Sequence, residues 1–278
     1  MLCMATFDEI YNAFQSMTKA MDVLTVLEGQ RSTARLAIHE NRVGKIQDFC
    51  SSNGLHSILS SQKIQMAFLG PYSSKGKRTK GEGHYFAYIS RHPSHCEAAK
   101  ALEEKGDHVG LGAALGYPSC CIKFFANNFA EESKKLNDFV LPAWHNSAGN
   151  AFPIHNNIFG RYFDAGLLPH CPHSFDCSHS AKIGRDRIAL LHKHDPGVAN
   201  QFLGILDSAA IYADGNVILL LGAKENAGIL HYKDVLPTEN NSLARQLSKS
   251  KKIKFTPRLA FVVGSQKYSY PLALFSRP

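Results

Sequence analysis

No apolar run in the chain approaches the ~20 residues that a bilayer-crossing helix needs; VILLLGA at 217–223 is typical of the longest. The opening MLCMATFDEI has no basic stretch ahead of an apolar one, and its acidic residues come early. A secretory leader is therefore not expected, and the two absences together point to a soluble cytosolic protein that does not engage membranes. No repeat of fixed period is visible, which excludes a solenoid or propeller array. Catalytic signatures are missing as well. There is no P-loop, no Gly-x-Ser-x-Gly elbow, no His-Glu-x-x-His pair and no dinucleotide Gly-x-Gly-x-x-Gly after a strand. The paired Cys-x2-Cys elements of a zinc ribbon are absent too.

Cysteine, histidine and positive charge are what the sequence does have. Seven cysteines in a cytosolic chain argue against a disulfide scaffold, and the odd number leaves at least one thiol unpaired. The formal charge of +8, with 14 histidines, suits a small anionic substrate, an anionic cofactor or a nucleic acid. Hydrophobic residues at 44% and charged residues at 19% describe a globular chain, and 278 residues make one large domain or two modest ones. A division into an N-terminal helical segment, 1–62, and an α+β domain, 63–278, is the expectation.

Apolar residues at three- and four-residue spacing from Phe7 to Leu24 predict a helix over 6–30. IQMAFLG (64–70) and HYFAYIS (84–90) read as strands. Between them a glycine-rich segment reads as a long exposed hairpin loop, 74–80 being its basic part, where Lys75, Lys77, Arg78 and Lys80 are either solvated or able to hold phosphates. Helices follow at 93–106, with Ser94 and Glu97 as a capping box and Gly106 as the stop, and at 107–116, capped by Asp107. Another runs over 117–135, with Pro118 in its first turn. GLGAALG (110–116) follows a helix and not a strand, so its glycines read as close-packing positions. Residues 141–176 hold four prolines and no periodicity, yet Trp144, Phe152, Phe159, Tyr162 and Phe163 argue for order. Helices at 177–194, capped by Asp176, and from Asp195–Pro196 onward complete the middle. The C-terminal part is strand-rich: a hairpin over 209–222 turning at 214–216, then GILHYKDV, KIKFT and RLAFVVG. The basic run SKSKKIKFTPR (248–258) reads as an exposed sheet edge, where lysines block unwanted pairing, with phosphate contact as the alternative. The fold class expected is α+β, a helical centre carrying the cysteines packed on an antiparallel sheet from 64–90 and 209–265.

On this map Cys120 and Cys121 fall in the first turn of a helix, Cys177 falls at the start of another, and Cys171 lies six residues before it. Unpaired backbone N–H groups at a helix start favour the thiolate, the form that binds metal. The four are the predicted ligands of a metal cofactor. Neighbouring thiols about 100° apart on a helix suit the spread irons of an iron–sulfur cluster. His170, His173 and His179 flank the second pair, so a Cys/His site for zinc or mononuclear iron is the alternative. Metal-free thiol chemistry, and a zinc-stabilised basic module for RNA or another anionic partner, are further readings. Tyr117, His145, His155 and Arg161 are the catalytic candidates, with Arg185 and Arg187 also near the cysteines in sequence. Cys3, Cys50 and Cys96 read as small buried hydrophobes.

The elements GYPSCC and LLPHCPHSFDC resemble those of an uncharacterised prokaryotic family, a domain of unknown function, with a Gly-Tyr-Pro-x-Cys-Cys element followed by a Pro-x-Cys…Cys element. The resemblance covers roughly 84–235 and rests on Gly116, Tyr117, Pro118, Cys120, Cys121, Cys171 and Cys177. In that family the last two cysteines sit closer together than Cys171 and Cys177 do here. The likeness implies a shared site and no particular reaction. The cysteine doublet is also similar to that of the cluster-binding domains of heterodisulfide reductases. The sequence thus leads to a metalloenzyme doing redox, sulfur-transfer or Lewis-acid chemistry on a small substrate.

Overall fold

The computed structural model describes residues 5–66, 76–135, 138–213, 215–256 and 260–277. The chain divides into two compact units, Met1–Phe139 with Pro169–Cys171, and Val140–Leu168 with Pro172–Pro278. The fold is α+β, as the sequence pattern implies. None of the described helices is long and apolar enough to cross a membrane.

The first unit opens with two helices, α1 (Phe7–Phe14) and α2 (Met17–Leu27), where the spacing predicts one. The apolar stripe is buried as expected, but Gln15 takes a left-handed φ of 53° and Ser16 recaps the chain by accepting the Lys19 N–H. β1 (Thr33–His39), α3 (Val43–Ser52), β2 (His56–Leu59), β3 (Lys63–Met66), β4 (Gly76–Thr79) and β5 (His84–Ser90) follow. β5 is the central strand. It pairs antiparallel with β1 on one side, and with β2 and the end of β3 on the other. A boundary at 62/63 would cut this sheet, because β1 and β2 precede it and β5 follows it. The expected N-terminal helical segment therefore contains two strands. The basic segment after β3 is not all loop: Lys77 and Arg78 lie in β4, paired with Gln65 and Ile64, while Lys75 lies outside the described residues.

α4 (Pro93–Glu104), α5 (His108–Ala114) and α6 (Ser119–Glu132) complete the unit. α4 starts two residues earlier than the capping box implies. His92 is its N-cap without a side-chain bond, Pro93 fills the first position and Ser94 lies inside the first turn. Cys96 and Ala99 of α4 pack against Tyr88 of β5.

The second unit begins with α7 (Val140–Asn146), β6 (Ala151–Pro153) and two short 3-10 turns, Ile154–Asn156 and Ile158–Phe163. Of the prolines that hide periodicity in this stretch, Pro142 lies in the first turn of α7 and Pro153 is the N-cap of the first 3-10 turn, while Pro169 and Pro172 lie in irregular chain. Then come α8 (Ser178–His194), α9 (Pro196–Leu206), β7 (Ser208–Ala213), β8 (Asn216–Leu221), β9 (Lys224–Asn226), β10 (Ile229–His231) and β11 (Asp234–Pro237). α10 (Ser242–Ser250), β12 (Lys252–Thr256), β13 (Ala260–Val263), β14 (Gln266–Tyr268) and β15 (Leu272–Ser276) end it. Among the described residues, the strands from 209–265 do not join those of 64–90. They form two separate five-stranded sheets, ordered β11-β8-β7-β15-β6 and β14-β13-β12-β10-β9. β7 and β8 form the expected hairpin, and the β15–β6 pair is parallel.

Ile211, Ile218, Leu230, Ile253 and Phe261 from the two sheets share one core with Leu243 and Leu247 of α10. β12, expected at an edge, is the middle strand of its sheet, bonded to β10 on one side and β13 on the other.

Candidate metal centre

The residues Gly116-Tyr117-Pro118 turn α5 into α6. Gly116 takes a φ of 73°. Its N–H bonds to the Ala113 carbonyl, and the Tyr117 N–H bonds to that of Gly112, which is the pair of reversed bonds that closes a Schellman helix end. Pro118 then stands as the N-cap of α6, one position earlier than the sequence implies. Gly112 is required for a second reason. A Cβ there would stand 2.8 Å from Ile122 Cγ1 on α6, so the close-packing reading of GLGAALG holds. The turn leaves Ser119, Cys120 and Cys121 as the first three residues of α6. Cys120 is half-buried and Cys121 buried, with their sulfurs 3.8 Å apart.

The second cysteine element is held by its backbone. The Phe175 ring is fully buried among Phe152, Phe159 and Phe275, at centroid distances of 5.5, 5.6 and 5.7 Å. The Phe175 N–H donates to Ser147 Oγ at 2.7 Å. Asn156, fully buried, donates both to the Phe175 carbonyl at 2.9 Å and to the Cys177 carbonyl at 3.0 Å. Asn146 donates to the His173 carbonyl. Asp176, expected to cap α8, instead accepts the Ala148 N–H at 3.2 Å. Cys177 is itself the N-cap, its sulfur accepting the Ser180 N–H at 3.4 Å. Its sulfur thus sits at the N-terminus of a 17-residue helix, where negative charge is favoured.

A ligand atom from each of Cys120, Cys121, His173 and Cys177 lies within 4.8 Å of every other, a group that could hold a metal ion. Three of the four cysteines singled out by sequence belong to it, and of the three flanking histidines His173 does. Cys171 stands outside the group, with its thiol directed at the Asp138 carbonyl, 3.6 Å away. His170 is buried with its ring 5.2 Å from that of Tyr117, and His179 is exposed on α8.

The catalytic candidates are also placed. Tyr117 has the Arg31 guanidinium 5.7 Å from its ring centre. His145 is exposed on α7. His155 is buried, and burial together with the charge of Arg185 holds its imidazole below the ordinary histidine pKa. Arg161 and Arg187 are buried, whereas Arg185 is exposed. Neither His145 nor His155 belongs to the four-residue group. Cys50 and Cys96 are buried as expected, and burial pushes their thiols up to about 12 and about 11. Cys3 lies outside the described residues.

The sequence did not point to Asn156, Ser147 or Phe175, the residues that fix the second element. Their only local signal is an aromatic-rich segment without periodicity. No family model matches the chain, and no curated protein or solved structure shows significant similarity to it.

Proposed function

We propose that Cys120, Cys121, His173 and Cys177 bind a single zinc ion whose role is structural. The observation that carries this reading is the 3.8 Å between the Cys120 and Cys121 sulfurs. Two thiolates bonded at about 2.3 Å to one tetrahedral ion stand about 3.8 Å apart, and a thiolate and an imidazole on that ion about 3.6 Å. The whole group, spread over 4.8 Å, needs a contraction of about 1 Å to reach that tetrahedron.

An iron–sulfur cluster makes a different demand. In a 4Fe–4S cluster the thiolates bind different irons, and in a 2Fe–2S cluster the two ligand pairs lie on opposite irons, so some ligands of either stand farther apart than the 4.8 Å that spans this group; four thiolates are the usual set. Here an imidazole takes the fourth place. Three thiolates and one imidazole are a common structural zinc set. Four protein ligands also fill a tetrahedral shell, leaving no open position for substrate. Redox, sulfur-transfer and Lewis-acid chemistry at this ion are accordingly no part of the reading. The likeness to the Gly-Tyr-Pro-x-Cys-Cys family then becomes a likeness of ligands. The glycine, tyrosine and proline build the turn, and the cysteines after it hold the metal.

The test is metal analysis of protein purified without oxygen, repeated on single variants. The parent should carry about one zinc per chain, no acid-labile sulfide and no visible colour. Cobalt in its place should give the intense absorption of a tetrahedral thiolate site. Cys120→Ser, Cys121→Ser, His173→Ala and Cys177→Ser should each lose the metal, while Cys171→Ser keeps it. A brown protein containing sulfide, or metal retained by His173→Ala and lost by Cys171→Ser, would sink the proposal.

A further inference from the structure

The lysines at 252 and 254 cannot be guarding an edge, because β12 is bonded on both sides. Their direction follows from the pairing. Lys252 stands opposite His231, and His231 opposite Lys224. Lys254 stands opposite Val262, and Val262 opposite Lys267. Directly paired residues share a face, and so do residues two apart on a strand. Lys224, His231, Lys252, Lys254 and Lys267 therefore lie on one face of the β14-β13-β12-β10-β9 sheet, and each is exposed. The opposite face carries Leu230, Ile253 and Phe261 into the core. No aspartate or glutamate occupies a described position on the basic face.

We propose that this face binds the phosphodiester backbone of a nucleic acid. Solvated sheet faces are polar as a rule, but they carry both signs, and a face with cations alone repels itself unless an anion covers it. The geometry suits a polyanion. Lys252 and Lys254 are about 6.7 Å apart along the strand, while Lys254 and Lys267, like Lys252 and Lys224, are about 9.5 Å apart across it. The sheet holds these cations in a fixed two-dimensional array.

An anionic bilayer fits less well. Surfaces that lie on membranes also bury a row of large apolar side chains, and among the described residues of this face Ile229, 36% exposed, is the one large exposed apolar residue. An acidic peptide would be expected at a strand edge or in a groove, with arginine forks for its carboxylates. The cations here are lysines on a sheet face, the point charges that contact phosphate without reading bases.

This inference does not depend on the metal reading, and the experiment keeps the two apart. Binding of the zinc-loaded full chain to fluorescein-labelled RNA and DNA oligonucleotides is followed by anisotropy across a salt series. Both should bind at low salt, with a log–log salt slope of about −3 to −4 for four lysine contacts. Lys252→Glu/Lys254→Glu should weaken binding at least about tenfold and make the slope shallower by about two contacts. Lys267→Glu, on another strand, should act in the same direction. Lys45→Glu/Lys105→Glu, which changes net charge equally in the first unit, should have little effect. Zinc content and melting temperature of each variant establish that it is folded. Absence of binding at low salt, or equal losses in the face and control variants, would overturn the proposal. So would charge-sensitive binding to phosphatidylserine vesicles in place of nucleic acid.

Discussion

Glu103 on α4 joins three side chains of the first unit. It accepts both arms of the Arg35 guanidinium and the Tyr88 hydroxyl, the latter at 2.6 Å, while Arg35 also lies 3.5 Å over the Phe86 ring. Burial pushes the Glu103 carboxyl up, but the bonds and charge of Arg35 and the Tyr88 hydroxyl outweigh it and hold the group below the usual range. Removing the charge leaves the guanidinium without its partner. Glu103→Gln should lower unfolding free energy by about 2 kcal/mol at neutral pH, below the figure for a fully buried pair because both groups keep some solvent contact. A depressed carboxyl contributes stability above its unfolded value of about 4.3, and that contribution disappears as pH falls through the folded value. The gap between parent and variant in denaturant titrations should therefore narrow steadily below about pH 4. A gap that stays constant with pH would mean the loss came from packing alone.

At the scale of elements, both ligand-bearing segments are held by neighbours rather than by their own sequence. The α6 start depends on the turn at Gly116 and on the space Gly112 leaves for Ile122. The α8 start depends on Asn156, and α8 in turn packs on the Ile154–Asn156 turn through Gly184. A Cβ at Gly184 would fall 2.5 Å from the His155 carbonyl oxygen. Glycine inside a helix ordinarily costs about 1 kcal/mol against alanine, so Gly184→Ala would stabilise an unconstrained helix. Here it should destabilise by about 1–3 kcal/mol, the usual cost of overpacking. It should also weaken zinc retention in a chelator titration, because the shifted turn carries Asn156 away from the Cys177 carbonyl. An increase in stability would show that α8 can move without disturbing the ligands.

For the whole molecule, the zinc proposed above would link metal binding to folding. Metal bound by the folded chain and weakly by the unfolded one stabilises in proportion to the logarithm of its free concentration. A strong chelator should lower the melting temperature and expose Cys120, Cys121 and Cys177 to alkylation. Cys50 and Cys96, whose thiols burial keeps protonated, should stay unmodified until global unfolding. Mass spectrometry of alkylated peptides reads this directly. Equal labelling of all five with metal bound would contradict it.

What the sequence determined by itself is local. Asp107 and Asp195 cap their helices as expected, Gly106 and Gly116 end theirs, and β7 and β8 pair as neighbours in sequence. Each depends on bonds between residues a few positions apart, so the residue types suffice. The thiols at two helix starts were legible for the same reason. Tertiary structure decided the rest. His173 rather than Cys171 joins the group because buried Phe175 and Asn156 set the backbone that presents it. The lysines of β12 lie on a face rather than an edge because strand order is fixed by pairings with distant segments, β10 and β13. Periodicity names the buried side of a strand and carries no information about which strands lie beside it.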